Sequence, residues 1–156
     1  MMYGMLAQAK DGLDAYKALW VPLVSWFIAQ ILKVLINGIR KKQIKWSYMY
    51  SPGGMPSAHT AVMTALATTI AIQYGFDSPL FAISMVVAFI VMYDAAGVRR
   101  TVGYQSTMLN KMLEELFIGN KEFSQRLQEI IGHTKWEVFV GALLGIAMGI
   151  AFSWPW

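Results

Sequence analysis

The chain has 156 residues, of which 56% are hydrophobic and only 14% charged, and it carries a formal net charge of +4. A soluble domain draws roughly a quarter of its residues from Asp, Glu, Lys and Arg, so the charge deficit excludes an ordinary water-soluble globule more firmly than the apolar excess does. With no cysteine, disulfides and thiolate metal sites are also excluded, and the basic balance reads as membrane topology signal rather than nucleic-acid binding.

A helix needs about 20 mostly apolar residues to cross a hydrocarbon core of about 30 Å. Residues 19–36 form the first such run, with Gln30 and Lys33 near its far end. It is too long for a signal-peptide core, and no small-residue cleavage site follows it. Residues 37–55 are polar, with Arg40, Lys41, Lys42 and Lys45 and no acid. The second run is residues 56–74, and residues 75–78 join it to the third, residues 79–98, which holds Asp94. Residues 99–136 are mixed in character. Within them Met108, Leu109, Met112, Leu113, Leu116 and Phe117 fall at helical spacing beside Lys111, Glu114 and Glu115, the pattern of an amphipathic helix on the membrane surface or against the bundle. The fourth run, residues 138–154, is rich in glycine. Trp20, Trp154 and Trp156 stand near span ends, where an amphipathic ring suits the membrane interface. The expectation is an all-α polytopic membrane bundle in one domain, with about four transmembrane helices and one amphipathic interfacial helix. There is no internal repeat.

Lys and Arg fall in both polar segments and are missing from residues 75–78. The positive-inside rule then puts both polar segments in the cytoplasm and both termini outside. Lys10 and Lys17 pull weakly the other way, beside Asp11 and Asp14.

Charged groups inside a membrane cost about 2.5–3.5 kcal/mol each on insertion scales, and here they gather at one end of the expected bundle. Lys33 is near the exit of the first span, Ser57 and His59 at the entrance of the second, and Asp94 near the exit of the third with Arg99 and Arg100 beyond it. His133 and Glu137 are at the entrance of the fourth. Snorkelling accounts for residues 40–42 and for Arg99 and Arg100 as well as a site does. A structural ion pair is the plain alternative for Lys33 and Asp94. Binding a cation and moving a proton are further alternatives for Asp94, and the sequence leaves them open.

Two motifs carry chemistry. In Ser51-Pro52-Gly53-Gly54-Met55-Pro56-Ser57-Ala58-His59 the glycines let amides approach an anion, Pro56 and Ser57 suit a helix start, and His59 follows in the first turn. There it can protonate a leaving oxygen. In Gly132-His133-Thr134-Lys135-Trp136-Glu137-Val138, His133 and Glu137 are four apart and would share a helix face, so that the carboxylate orients the imidazole and leaves its other nitrogen to attack. Gly141 and Gly145 read as a close-packing face.

Taken together, Gly-Gly-Met-Pro-Ser-x-His, Asp-Ala-x-Gly-Val-Arg-Arg and Gly-His-Thr-x-x-Glu-Val-x-x-Gly-x-x-x-Gly resemble the type-2 phosphatidic acid phosphatase and vanadium-dependent haloperoxidase superfamily. More closely, they resemble its short divergent branch of small bacterial and plastid membrane proteins. The resemblance runs from about Gln30 to Gly145. It implies a metal-free, cofactor-free phosphomonoesterase in which His133 forms a phosphohistidine, Glu137 orients it and His59 protonates the leaving oxygen. Ser57 and the Gly53 and Gly54 amides would hold the other phosphate oxygens. The superfamily's Lys-x6-Arg-Pro is missing before the first motif, and Leu127 with Arg126 replaces its Ser-Arg before the second. Lys33, Arg99 and Arg100 are therefore the candidate phosphate-binding cations, with Gln30 and Asp94 as further polar groups. The implied setting is a bacterial inner membrane with the site on the cytoplasmic face. The implied partners are membrane lipids and a phospholipid or polyprenyl phosphate substrate, with no nucleic acid, and the small-residue surface would suit a homo-oligomer. The competing readings are a non-enzymatic lipid-phosphate binder or carrier that uses the same pocket, and a vanadate-dependent oxidant.

Overall fold

The computed structural model describes residues 16–42, 54–116 and 132–154. They form five α-helices: α1 (Lys17–Lys41), α2 (Ala58–Tyr74), α3 (Pro79–Ala96), α4 (Val98–Leu116) and α5 (Lys135–Ser153). There is no strand among the described residues, and the all-α expectation stands.

The helix ends follow local chemistry. Ser57 caps α2, its hydroxyl accepting from the Thr60 amide. Ser78 caps α3 from the Phe81 amide, with Pro79 in the first turn, where its missing N–H costs nothing. Thr134 caps α5. At the end of α1, Lys42 adopts the left-handed conformation and its amide closes onto the Gly38 and Ile39 carbonyls.

The second helix is the centre of the bundle. It packs on α5 most extensively, then on α1 and α3, while α4 touches α3 alone among the described helices. Its buried residues are almost all alanine or threonine, and α5 meets them with Gly141, Gly145 and Gly149, all buried and one turn apart. A methyl group at Gly145 would collide with the Thr64 hydroxyl and the Ala61 carbonyl, and one at Gly149 would stand 2.6 Å from Thr68 Cβ. Lipid tails are as apolar as leucine, so association inside a membrane depends on such close contact and on hydrogen bonds between helices. The bonds are present. Thr64 Oγ1 donates to the Ala142 carbonyl at 3.2 Å, Ser25 Oγ to the Ala61 carbonyl at 3.2 Å, and Ser153 Oγ to Thr69 Oγ1 at 3.0 Å.

The outer surface is the reverse of a soluble protein's. Leu23, Phe27 and Leu35 of α1, Ile83, Phe89 and Ile90 of α3, and Phe139 and Leu143 of α5 are all exposed. Large apolar surfaces of this kind mark a membrane-facing protein. Helices α1, α3 and α5 contain stretches long and apolar enough to cross a membrane. The second helix, about 25 Å long at 1.5 Å per residue, lies among them and buries Thr60, Thr64 and Thr69.

The fourth helix departs from expectation. Periodicity pointed to a helix around 108–117, but α4 starts ten residues earlier, at Val98, directly after the break at Gly97. The strongest apolar spacing lies in its second half, and the polar residues of the first half hide the period. Phe117 and residues 43–53, with Lys45, lie outside the described residues.

Candidate functional site

Four elements bring polar groups to one end of the bundle. The loop entering α2 supplies Gly54 and Ser57. Gly54 has φ +93, and a side chain there would press on Lys33 Cγ at 3.4 Å and Asn37 Nδ2 at 3.2 Å. Both the backbone conformation and the close approach require glycine. Lys33 is 4% exposed beneath this loop, and its charge and that of Glu137 attract one another across the site. Gln30, one turn deeper on α1, is also buried, and its Oε1 has no hydrogen-bond partner.

Ser57 is fully buried. Its hydroxyl accepts from Thr60 Oγ1 at 3.0 Å as well as capping the helix, and its amide donates to the Glu137 carbonyl at 3.0 Å. That last bond ties the start of α2 to the first turn of α5. Gly141 makes it sterically possible, since a side chain there would meet the Ser57 backbone and stand 3.2 Å from Ser57 Cβ. On the other side the His133 amide donates to the Ala95 carbonyl at 3.1 Å. Helix α3 ends one residue later, so His133 satisfies a carbonyl that would otherwise be left open.

These ties bring together the two histidines of the chain. The His59 and His133 rings stand edge to face with centroids 6.2 Å apart. His59 is exposed in the first turn of α2, whereas His133 is 4% exposed. Each follows or precedes a helix N-terminus, and the two termini converge, so the positive ends of two helix dipoles meet at the pair.

The geometry corrects two expectations and narrows a third. His133 does not share a helix face with Glu137, because α5 begins at Lys135 with Thr134 as its cap. Thr-x-x-Glu is a capping box: Glu137 Oε2 accepts from the Thr134 amide at 2.9 Å, and Thr134 Oγ1 accepts from the Glu137 amide at 3.3 Å. Nor does Arg100 join the group. It is exposed on α4, with Nη2 3.3 Å from the Tyr104 hydroxyl and its guanidinium 5.7 Å from that ring's centroid. Ser57, expected as a phosphate ligand, is engaged as a cap and a tie. The Arg99 side chain, Gly53, Arg126 and Leu127 lie outside the described residues. Asp94 stands one residue before Ala95, at the same end of the bundle. Sequence reasoning missed the Ala95 carbonyl, which no side-chain motif signals, and Asn37, which shares a helical face with Gln30 and Lys33 and was legible from that spacing.

The apolar outer surface and the long apolar helices define a helical integral membrane protein, with a histidine pair between two helix N-termini at one end of its bundle. The chain belongs to the divergent PAP2 family, whose profile matches residues 15–148. It is similar to a protein of Bacillus subtilis (strain 168) described as an uncharacterized membrane protein, YuiD. The two are 40% identical over 143 residues, covering 85% of this chain and 90% of that protein. No solved structure matches the chain.

The double use of Glu137 is separable. Glutamine preserves a capping box, so Glu137→Gln should leave thermal stability in detergent close to wild type. Glu137→Ala should lose about 1 kcal/mol, the usual worth of a helix cap. Equal melting of all three proteins would show that the box contributes nothing.

Proposed function

We propose that the protein is a lipid phosphate phosphatase acting without a metal through a phosphohistidine on His133. The observation that carries this reading is the facing histidine pair at the junction of two helix N-termini. A phosphoryl group between a nucleophile about 3–3.5 Å from phosphorus and a proton donor about 2.8 Å from the leaving oxygen fits two rings held as near as these, one buried and one open to the interface.

In the proposed reaction a His133 nitrogen attacks phosphorus, and the ester phosphorus–oxygen bond breaks. His59 gives a proton to the departing lipid oxygen. Water, giving its proton to His59, then attacks phosphorus, the phosphorus–nitrogen bond breaks, and inorganic phosphate leaves. Lys33, the Gly54 turn and the converging helix termini balance the charge on the nonbridging oxygens. Glu137 holds the start of α5 and places its charge near Lys33.

Purified protein in detergent, offered a panel of lipid phosphates with EDTA present, should release phosphate that vanadate blocks. His59→Ala should slow release about 10²–10⁴-fold, the usual contribution of a general acid, and His133→Ala should abolish it. A second reading is favoured by the capping role of Glu137 and the outward course of Arg100: the same pocket binds a lipid phosphate without hydrolysing it. Lipid-phosphate binding without release, equal in wild type and His133→Ala, would select that reading and overturn the first.

The reading includes an inner bacterial membrane with the site facing the cytoplasm, so that substrates come from the inner leaflet. It is supported by the basic residues at the site's end of α1. A cysteine at Lys42, which is exposed, should react with an impermeant thiol reagent only after cells are permeabilised. Reaction in intact cells would reverse the orientation.

A further inference from the structure

Below the histidine pair a groove of about 490 Å³ runs along the lipid-facing side of the bundle. Its floor is α2, with Ala67 and Ala71, and its walls are α3 and α5. These two walls touch one another little, whereas each packs on α2, so they splay and leave the floor open. At one end lie Thr64, Met92 and Ala142, and at the other Phe76 and Trp154.

The upper end adjoins the site on all three helices. Thr64 is five residues beyond His59, Ala142 five beyond Glu137, and Met92 three before Ala95, distances of about 4–8 Å along a helix axis. From Ala142 to Trp154 the groove then runs for about 18 Å. Its lining can offer almost no hydrogen bond. The two hydroxyls in it are engaged, Thr64 Oγ1 with the Thr60 and Ala142 carbonyls and Thr68 Oγ1 with the Thr64 carbonyl at 2.8 Å. A helix is at least about 10 Å across, and lodging one between α3 and α5, which still touch one another, would require the two walls to part. A thinner apolar body fits.

We propose that this groove holds one hydrocarbon chain of the lipid whose phosphate lies at His59 and His133, and that Trp154 and Phe76 at its far end set the chain length accepted. The proposal rests on the histidine pair being a phosphate site. It goes beyond that reading by assigning a second, apolar subsite, with α2 as its floor, and a residue pair that determines specificity. The headgroup is fixed at the bilayer edge, and the groove leads the chain down along the protein in the direction a lipid already points.

The test uses the full chain in nanodiscs with a phosphatidic acid that carries a photoreactive diazirine near the end of one acyl chain. Labelling should concentrate in peptides with Met85, Ile146 and Trp154. Ile146→Trp, at the groove rim, should reduce it about tenfold, the scale on which a filled apolar pocket discriminates. Trp154→Ala should move the preferred probe to longer chains. A misfolded variant would not produce these opposite effects. Labelling spread evenly over the outer faces of α1 and α3, labelling indifferent to Ile146→Trp, or crosslinks to a second copy through the groove would overturn the proposal. The readout needs no turnover. If the phosphate reading fails and the groove holds, a diacylglycerol probe will label the groove as well as phosphatidic acid does. If the groove alone fails, phosphate release will still depend on His133.

Discussion

The close approach of α2 and α5 decides the rest of the structure. Three glycines one turn apart let α5 press its backbone onto the alanines and threonines of α2, and the Thr64 hydroxyl reaches across to the Ala142 carbonyl. In a bilayer no solvent drives helices together, so contact this close takes the place of a hydrophobic core. The same contact fixes the register of the two helix starts. Gly141 admits Ser57, the Ser57 amide meets the Glu137 carbonyl, and the two histidines follow into place. A packing motif and a chemical motif are thus one device.

The electrostatic design is economical in charge. Three of the residues first considered for phosphate binding carry cationic side chains, and of these Lys33 is placed beneath the Gly54 turn while Arg100 lies along α4 against Tyr104. Among the described residues, the positive potential of the site comes from one buried lysine and from two helix N-termini, each equivalent to about half a charge. Glu137 offsets part of it while closing the capping box. A site of this kind would attract a phosphate but hold it less tightly than a cluster of arginines with bidentate contacts, which suits a ligand whose remaining affinity comes from an apolar chain.

Much of this was legible in the sequence. The four apolar runs appear as helices with boundaries shifted by a few residues, because length and composition alone distinguish such segments. The Ser57 cap and the clustering at one end followed from motif position and from the alternation of spans. The relation between His133 and Glu137 was misread, since spacing of four suggests a shared face only if both residues are helical. Thr134 ends that possibility by capping, and the Thr-x-x-Glu pattern was there to be weighed. The early start of α4 was hidden by polar residues that weaken the apolar period. The His133 amide to Ala95 carbonyl tie could not be read at all, because backbone pairing between distant segments leaves no side-chain pattern.

The most direct measurement is to find which atom carries the phosphoryl group during turnover. The protein in detergent would be mixed with a lipid phosphate labelled in its phosphate, quenched in alkali to preserve phosphohistidine, digested and mapped. The account predicts label on His133, stable to alkali and lost in acid, and none there in His133→Ala. Phosphate release with label on another residue, or with none on His133 under conditions that trap the intermediate, would contradict it.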